Sequence, residues 1–162
     1  IISLGVEKVA INSSALSSPE LINQAAQLVG SQSVVVVIDY KKRRFSKKYD
    51  VYTQNGMQKH KYDLLSWALE VEKQGAGEIV LNSIDSDGTM GGYDMEAIRL
   101  IKKNVSIPVT VLGGAGSLND VKELVNEFGT IGAAAGSMFV FKGKYKAVLI
   151  NYPSQIEKNN IK

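Results

Sequence analysis

Five apolar runs separated by amphipathic stretches limit how this chain can fold. In order they are "VEKVAIN", "VVVVIDY", "GEIVLNSID", "IPVTVLGGAG" and "TIGAAAGSMFV". Residues 34–38 are apolar and β-branched at every position, which is how a strand buried on both faces reads. Helical patterns lie between the runs. "SSPELINQAAQLVG" offers Ser18 as N-cap, Pro19 at the first helical position and Gly30 as stop. It sets Leu21, Ile22, Ala25, Ala26 and Val29 on one face. "DLLSWALEVEKQGAG" groups Leu64, Leu65, Ala68 and Leu69, leaves Trp67 to pack, and ends at Gly75. "DMEAIRLIKKN" ends in a basic turn that suits the helix dipole, with Asp94 as its cap. "SLNDVKELVNEFG" is capped by Ser117 and closed by Gly129. Strand and helix alternating in this way imply an α/β fold with a parallel sheet and right-handed crossovers. One interruption stands out. "YDVYTQNGMQKHKY" alternates around Asn55-Gly56, the preferred pair of a tight hairpin, so a β-hairpin excursion is expected over about 49–61. The 162 residues fit a single domain, 1–162.

Composition narrows the chemistry. Cysteine is absent, which excludes disulfides, thiolate nucleophiles and Cys-ligated metals. The single histidine, His60, excludes a multi-His zinc site and reads as a surface residue of the hairpin. No apolar run is long enough to span a bilayer, and "IISLGVEKV" has no basic signal-peptide start, so a cytoplasmic protein is expected. Much of the net charge of +3 comes from "KKRRFSKK", residues 41–48. Without a set of RNA-stacking aromatics or a recognisable nucleic-acid motif, this run reads as a solvated loop or an attractor of small anions, not a nucleic-acid patch.

Polar residues and glycines gather where the strands should end: Asn12-Ser13, Asp39, Asn82-Ser83-Asp85, Gly113-Gly114-Gly116 and Gly136-Ser137. Parallel α/β folds bind ligands at the carboxyl ends of their strands. "LGGAGS" before a helix outlines a phosphate cradle, and "AAAGSMF" repeats the outline one strand later. Asp39 ends an apolar strand, where a carboxylate is costly to desolvate. It reads either as a general acid or base or as a structural hydrogen-bonding aspartate. Lys8 and Glu78 stand at the opposite strand ends and read as a surface ion pair. "DSDGTMGGYDME" is not an EF-hand loop. Counted from Asp85, positions five and six are Thr89 and Met90, and the glycine falls at four.

Taken together, "VVVVIDYK", "GAGEIVLNSIDSDGTMGGYD", "VTVLGGAGS", "AAAGSMF" and "VEKVAINSSALSSPELI" resemble the cyclase subunit of imidazole glycerol phosphate synthase. The match runs in order to about Phe141, and its DGT-x-x-GYD block is specific. The resemblance implies a (βα)8 TIM barrel, of which this chain would be a partial barrel with about five parallel strands, numbers 4–8, beginning near the end of the third helix. It implies a lyase of histidine biosynthesis that closes an imidazole ring with ammonia from a glutaminase partner. The products are imidazole glycerol phosphate and an aminoimidazole carboxamide ribotide. The substrate would be bisphosphorylated, with no cofactor, metal, membrane or nucleic acid involved. By position, Asp39 resembles one of two catalytic aspartates, the other lying before Ile1. Asn12 and Ser13 resemble one phosphate site. Asn82, Ser83, Asp87, Gly88, Gly114, Gly116, Gly136 and Ser137 resemble the other substrate and phosphate contacts, with backbone around Gly88 facing the anion. Lys8 and Glu78 resemble members of a charged ammonia gate. Asn82 replaces a usual threonine and Leu112 a small polar residue. The ending "FVFKGKYKAVLINYPS" resembles a paralogous branch thought to deliver ammonia for amidating a nucleotide-linked sugar in surface-polysaccharide synthesis. A non-catalytic phosphate-binding half-barrel is a reading of another class. A partial barrel should leave strand edges and an apolar interior exposed, so self-association is expected.

Overall fold

The apolar runs pair with one another in parallel, as their alternation with helices requires. The computed structural model describes residues 4–143 and 145–161. Strand β1 (Val9–Ile11) leads into the short helix α1 (Ser13–Ser17) and then α2 (Glu20–Val29). Strand β2 (Val34–Lys42) is followed by β3 (Tyr49–Thr53), β4 (Gln58–Asp63) and α3 (Leu64–Lys73). Next come β5 (Glu78–Ser83), α4 (Met95–Lys102), β6 (Val109–Leu112), α5 (Leu118–Phe128), β7 (Gly132–Ala133) and α6 (Ser137–Val140). The small hairpin β8 (Phe141–Lys142) and β9 (Ala147–Val148) precedes α7 (Gln155–Asn159).

The parallel order is β1-β2-β5-β6-β7. Strand β2 is long enough to serve two neighbours on one edge. Residues 34–36 pair with β1, while residues 39–42 pair antiparallel with β3, which pairs in turn with β4. The sheet is open: among the described residues β1 and β7 each pair on one side only.

The two faces of the sheet differ. Val34, Val36, Ile38 and Tyr40 of β2, with Ile79 and Leu81 of β5, are buried together with Trp67 and Val71 of α3 and Ile98 and Ile101 of α4. On the opposite face Val35 is buried, while Val37 and Asp39, Val80 and Asn82, and Thr110 and Leu112 are half-buried. β2 is therefore fully covered on one face only, and the reading of burial on both faces is corrected.

Local readings are adjusted in several places. Helix α2 begins at Glu20, with Pro19 at the cap position, and Ser18 Oγ donates to the Glu20 carboxylate instead of capping a helix N–H. Leu69 is 42% exposed, because the inward stripe of α3 is Leu64, Trp67, Ala68 and Val71 at helical spacing. The hairpin turns through four residues, 54–57, with Gln54 and Asn55 both left-handed, not through Asn55-Gly56 alone. Lys41 and Lys42 close β2, so only the rest of the basic run forms the β2–β3 turn. "TIGAAAGSMFV" keeps only Gly132 and Ala133 as strand and turns helical at Ser137, since its small residues offer little side-chain surface to hold a ladder.

Candidate active site

The register of β2 and β5 sets Asp39 directly beside Asn82. The Asn82 amide donates to Asp39 Oδ1 at 2.8 Å, and the Asn12 amide, just past β1, donates to Oδ2 at 3.0 Å. Ser13 Oγ donates to Asn12 Oδ1 at 3.1 Å, which fixes the amide with its NH2 towards the aspartate. Three strand ends thus converge on one half-buried carboxylate, and each of its oxygens meets a neutral donor. With its amide nitrogen committed, Asn82 leaves Oδ1 buried and unpartnered among the described residues.

A hollow lies at the same end of the sheet, lined by Asp87, Gly88, Gly113, Gly114, Gly136 and Ser137. Its shape depends on close backbone approach. Gly114 has φ +109, and a Cβ there would come within 2.0 Å of the Gly92 carbonyl oxygen. In turn Gly92 N–H donates to the Gly114 carbonyl at 2.9 Å, joining the loop after β5 to the loop after β6. Tyr93 continues the join by donating from its hydroxyl to the Ala134 carbonyl at 3.0 Å. Burial, helped by the charge of Asp120, pushes the Tyr93 phenol up to about 12, so it keeps this proton at neutral pH. Asp120 accepts from Gly116 N–H and Ser117 N–H, both at 2.8 Å, and completes a capping box with Ser117 at the start of α5.

The aspartates of "IDSDGTMGGYD" divide by role. Asp85 accepts from Lys42 N–H at 2.9 Å and ties the loop to β2. Asp94 caps α4 by accepting from Ala97 N–H, and it also accepts from the Tyr49 hydroxyl. Asp87 lines the hollow. Among the described residues no cluster of acids or histidines could hold a metal ion, and no helix is long and apolar enough to cross a membrane.

Two residues grouped with this site by sequence border the hollow without lining it. Ser83 is buried and donates from Oγ to Ser86 Oγ, which orders the loop. Gly116 packs against Met90 and lines a separate surface depression with Met138 and Asn151. Lys8 and Glu78 form an ion pair of 2.6 Å at the opposite end of the strands. Burial alone would raise the Glu78 carboxyl. The hydrogen bonds from Lys8 and from Thr110 Oγ1 outweigh it and hold the group below its usual range. His60 is half-buried on the outer strand β4, away from Asp39. The site-shaping residues that sequence reasoning passed over are Tyr93 and Asp120. The Ser117-x-x-Asp120 spacing resembles a capping box and could have flagged the second. Tyr93 stands inside the DGT-x-x-GYD block, which marks the position but not its contact with Ala134.

A mainly parallel α/β sheet with a hydrogen-bonded carboxylate and a glycine-lined hollow at the carboxyl ends of its strands defines a class by fold: the parallel α/β proteins, whose ligands bind at that end. Comparison with known proteins gives the family. Residues 1–146 match the family described as "Histidine biosynthesis protein". The chain is 52% identical over 158 residues to a Vibrio vulnificus protein named "Putative imidazole glycerol phosphate synthase subunit hisF3", covering 98% of this chain and 61% of that protein. It is 53% identical over 158 residues to a Leptospira borgpetersenii protein named "Putative imidazole glycerol phosphate synthase subunit HisF", covering 98% and 62%. To the "Imidazole glycerol phosphate synthase subunit HisF" of Lactococcus lactis it is 41% identical over 161 residues, covering 99% and 61%. The chain belongs to the histidine biosynthesis protein family, and it spans about three fifths of the length of these relatives.

Proposed function

We propose that this chain forms the C-terminal five-strand part of a (βα)8 barrel that serves as the cyclase subunit of imidazole glycerol phosphate synthase. The supporting observation is the Asn12–Asp39–Asn82 arrangement beside the glycine-lined hollow, on one end of one sheet. Asp39 is the general acid or base of ring closure. The two amides hold its carboxylate in one orientation, so proton transfer needs little reorganisation. The hollow takes one phosphate of a bisphosphorylated substrate on backbone around Gly88, Gly114 and Gly136. Asn12 and Ser13 contribute to the site of the other. Lys8 and Glu78 belong to the entry through which ammonia from a glutaminase subunit reaches Asp39. Ring closure also calls for a second carboxylate opposite Asp39, and among the described residues of β2, β5 and β6 the open face carries Asp39 alone at this end, with Glu78 at the other. The isolated chain is therefore inactive even with excess ammonium.

The test joins this chain to the N-terminal two fifths of the Vibrio vulnificus relative and assays cyclisation with ammonium salts. Turnover is expected, and Asp39→Asn should lower it by about 10²- to 10⁴-fold. Full activity in that variant would remove Asp39 from the chemistry. The C-terminal segment favours a second reading. It forms the β8–β9 hairpin and the five-residue α7, where a long closing helix would complete a barrel. That agrees with a paralogue supplying ammonia for sugar amidation in surface-polysaccharide synthesis. A chimera that folds and binds phosphate but does not cyclise the histidine precursor would select it.

A further inference from the structure

The hollow has an electrostatic deficit. Its lining includes Asp87 and, among the described residues, no lysine or arginine. A phosphate dianion placed there would meet backbone dipoles and the charge of nearby Asp87, with no counter-charge among the described lining residues. A cation arrives from another element. Lys146 lies in the turn between β8 and β9, and its Nζ donates to the Gly88 carbonyl at 3.3 Å, at the edge of the hollow.

The position of Lys146 is built rather than incidental. Its backbone is left-handed, φ +48, which is unusual for a residue with a side chain, and its N–H closes the turn on the Gly143 carbonyl at 3.0 Å. The hairpin is fixed to α6, whose first residue, Ser137, lines the same hollow. Leu149 N–H donates to the Val140 carbonyl at 2.9 Å, and Asn151 N–H donates to the Phe139 carbonyl at 2.8 Å. The Phe139 and Tyr152 rings pack with centroids 5.0 Å apart. The segment that leaves the hollow at Ser137 therefore folds back and returns a cation to it.

We infer that Lys146 is an anion-binding residue of this site, completing the glycine cradle as the counter-charge to a bound phosphate and offsetting Asp87. The inference rests on the phosphate reading of the hollow. An ammonium group has three donors, so one can stay on the Gly88 carbonyl while the others reach phosphate oxygens.

The test is titration of the full chain with inorganic phosphate, followed through the amide resonances of Gly88, Gly114 and Gly136. The wild type should show saturable shifts at these three glycines. Lys146→Met should bind about 5- to 10-fold more weakly and with a shallower dependence on salt, and Lys146→Arg within about 3-fold of wild type. An unchanged amide fingerprint away from the hollow confirms that each variant folds. Equal affinity in wild type and Lys146→Met, with the shifts still at the glycines, would overturn the role of Lys146 and leave the cradle standing. No saturable shift at those glycines in the wild type would overturn the cradle and the role of Lys146 together.

Discussion

Two aspartates on β2 and β3 show how surroundings assign a role to one side chain. Asp39 meets two neutral amides on a half-open face, which leaves it accessible to a substrate. Asp50 is buried and accepts from the Arg43 guanidinium at 2.8 and 2.5 Å and from Lys59 at 2.6 Å. The Arg43 hydrogen bonds are the main cause holding the Asp50 carboxyl below its usual range. Burial opposes them, and Lys59 adds to them. A carboxyl depressed in the folded state stabilises fully above its unfolded value, about 3.9, and the gain disappears as pH falls through the folded value. Asp50→Asn should therefore cost about 1–2 kcal/mol near pH 7, the low end because both cations are half-exposed and rehydrate. The gap between wild type and variant in urea unfolding should close below about pH 4. A gap that stays constant down to about pH 2 would mean the charge contributes nothing. Asp39 was legible in the sequence because a carboxylate ending an apolar run is conspicuous. Asp50 was not. Its partners sit seven residues before it and nine after, across a hairpin whose register no local pattern specifies.

At the scale of elements, caps and glycine turns were readable because they depend on neighbours in sequence. Ser117, Asp94 and Gly30 stand at helix ends, as expected. Strand lengths were not readable, because they depend on pairing with other units: β7 stops at two residues although the apolar run continues and its partner β6 has four. The join between the loops was hidden for the same reason, since Gly92–Gly114 and Tyr93–Ala134 are contacts between different βα units. Asp120 links the two levels. Its carboxylate closes the capping box of α5 and also holds the Gly116 and Ser117 amides of the glycine loop. Asp120→Ala should cost about 1 kcal/mol of stability, the usual value of a cap. It should also speed hydrogen exchange in residues 113–117, while α3 and α4 stay protected. If the loop amides exchange at the wild-type rate, the carboxylate caps the helix and does not order the loop.

For the whole molecule the decisive feature is an open sheet with unequal faces. One face is sealed by α3, α4 and α5, while the other leaves Val37 and Val80 half-buried in adjacent register, with half-buried Leu112 two positions further along β6. On either side, β1 and β7 present edges that pair once among the described residues. Natural sheets cover or blunt such edges, and contiguous apolar surface of this kind is a docking surface for whatever protein is at hand. For a solution of this chain alone, that protein is another copy. Its mass by light scattering should rise with concentration, and Val37→Lys or Val80→Lys, set in the middle of the open face, should shift the association to higher concentration. The sealed face holds the main core and neither substitution touches it, so the helices should unfold with the same midpoint. A concentration-independent monomer with cooperative unfolding would show that the half-buried face tolerates water by itself. The association would then fail, while the placement of Asp39 and the hollow on that end of the sheet would not be affected, since both are set by hydrogen bonds within the chain.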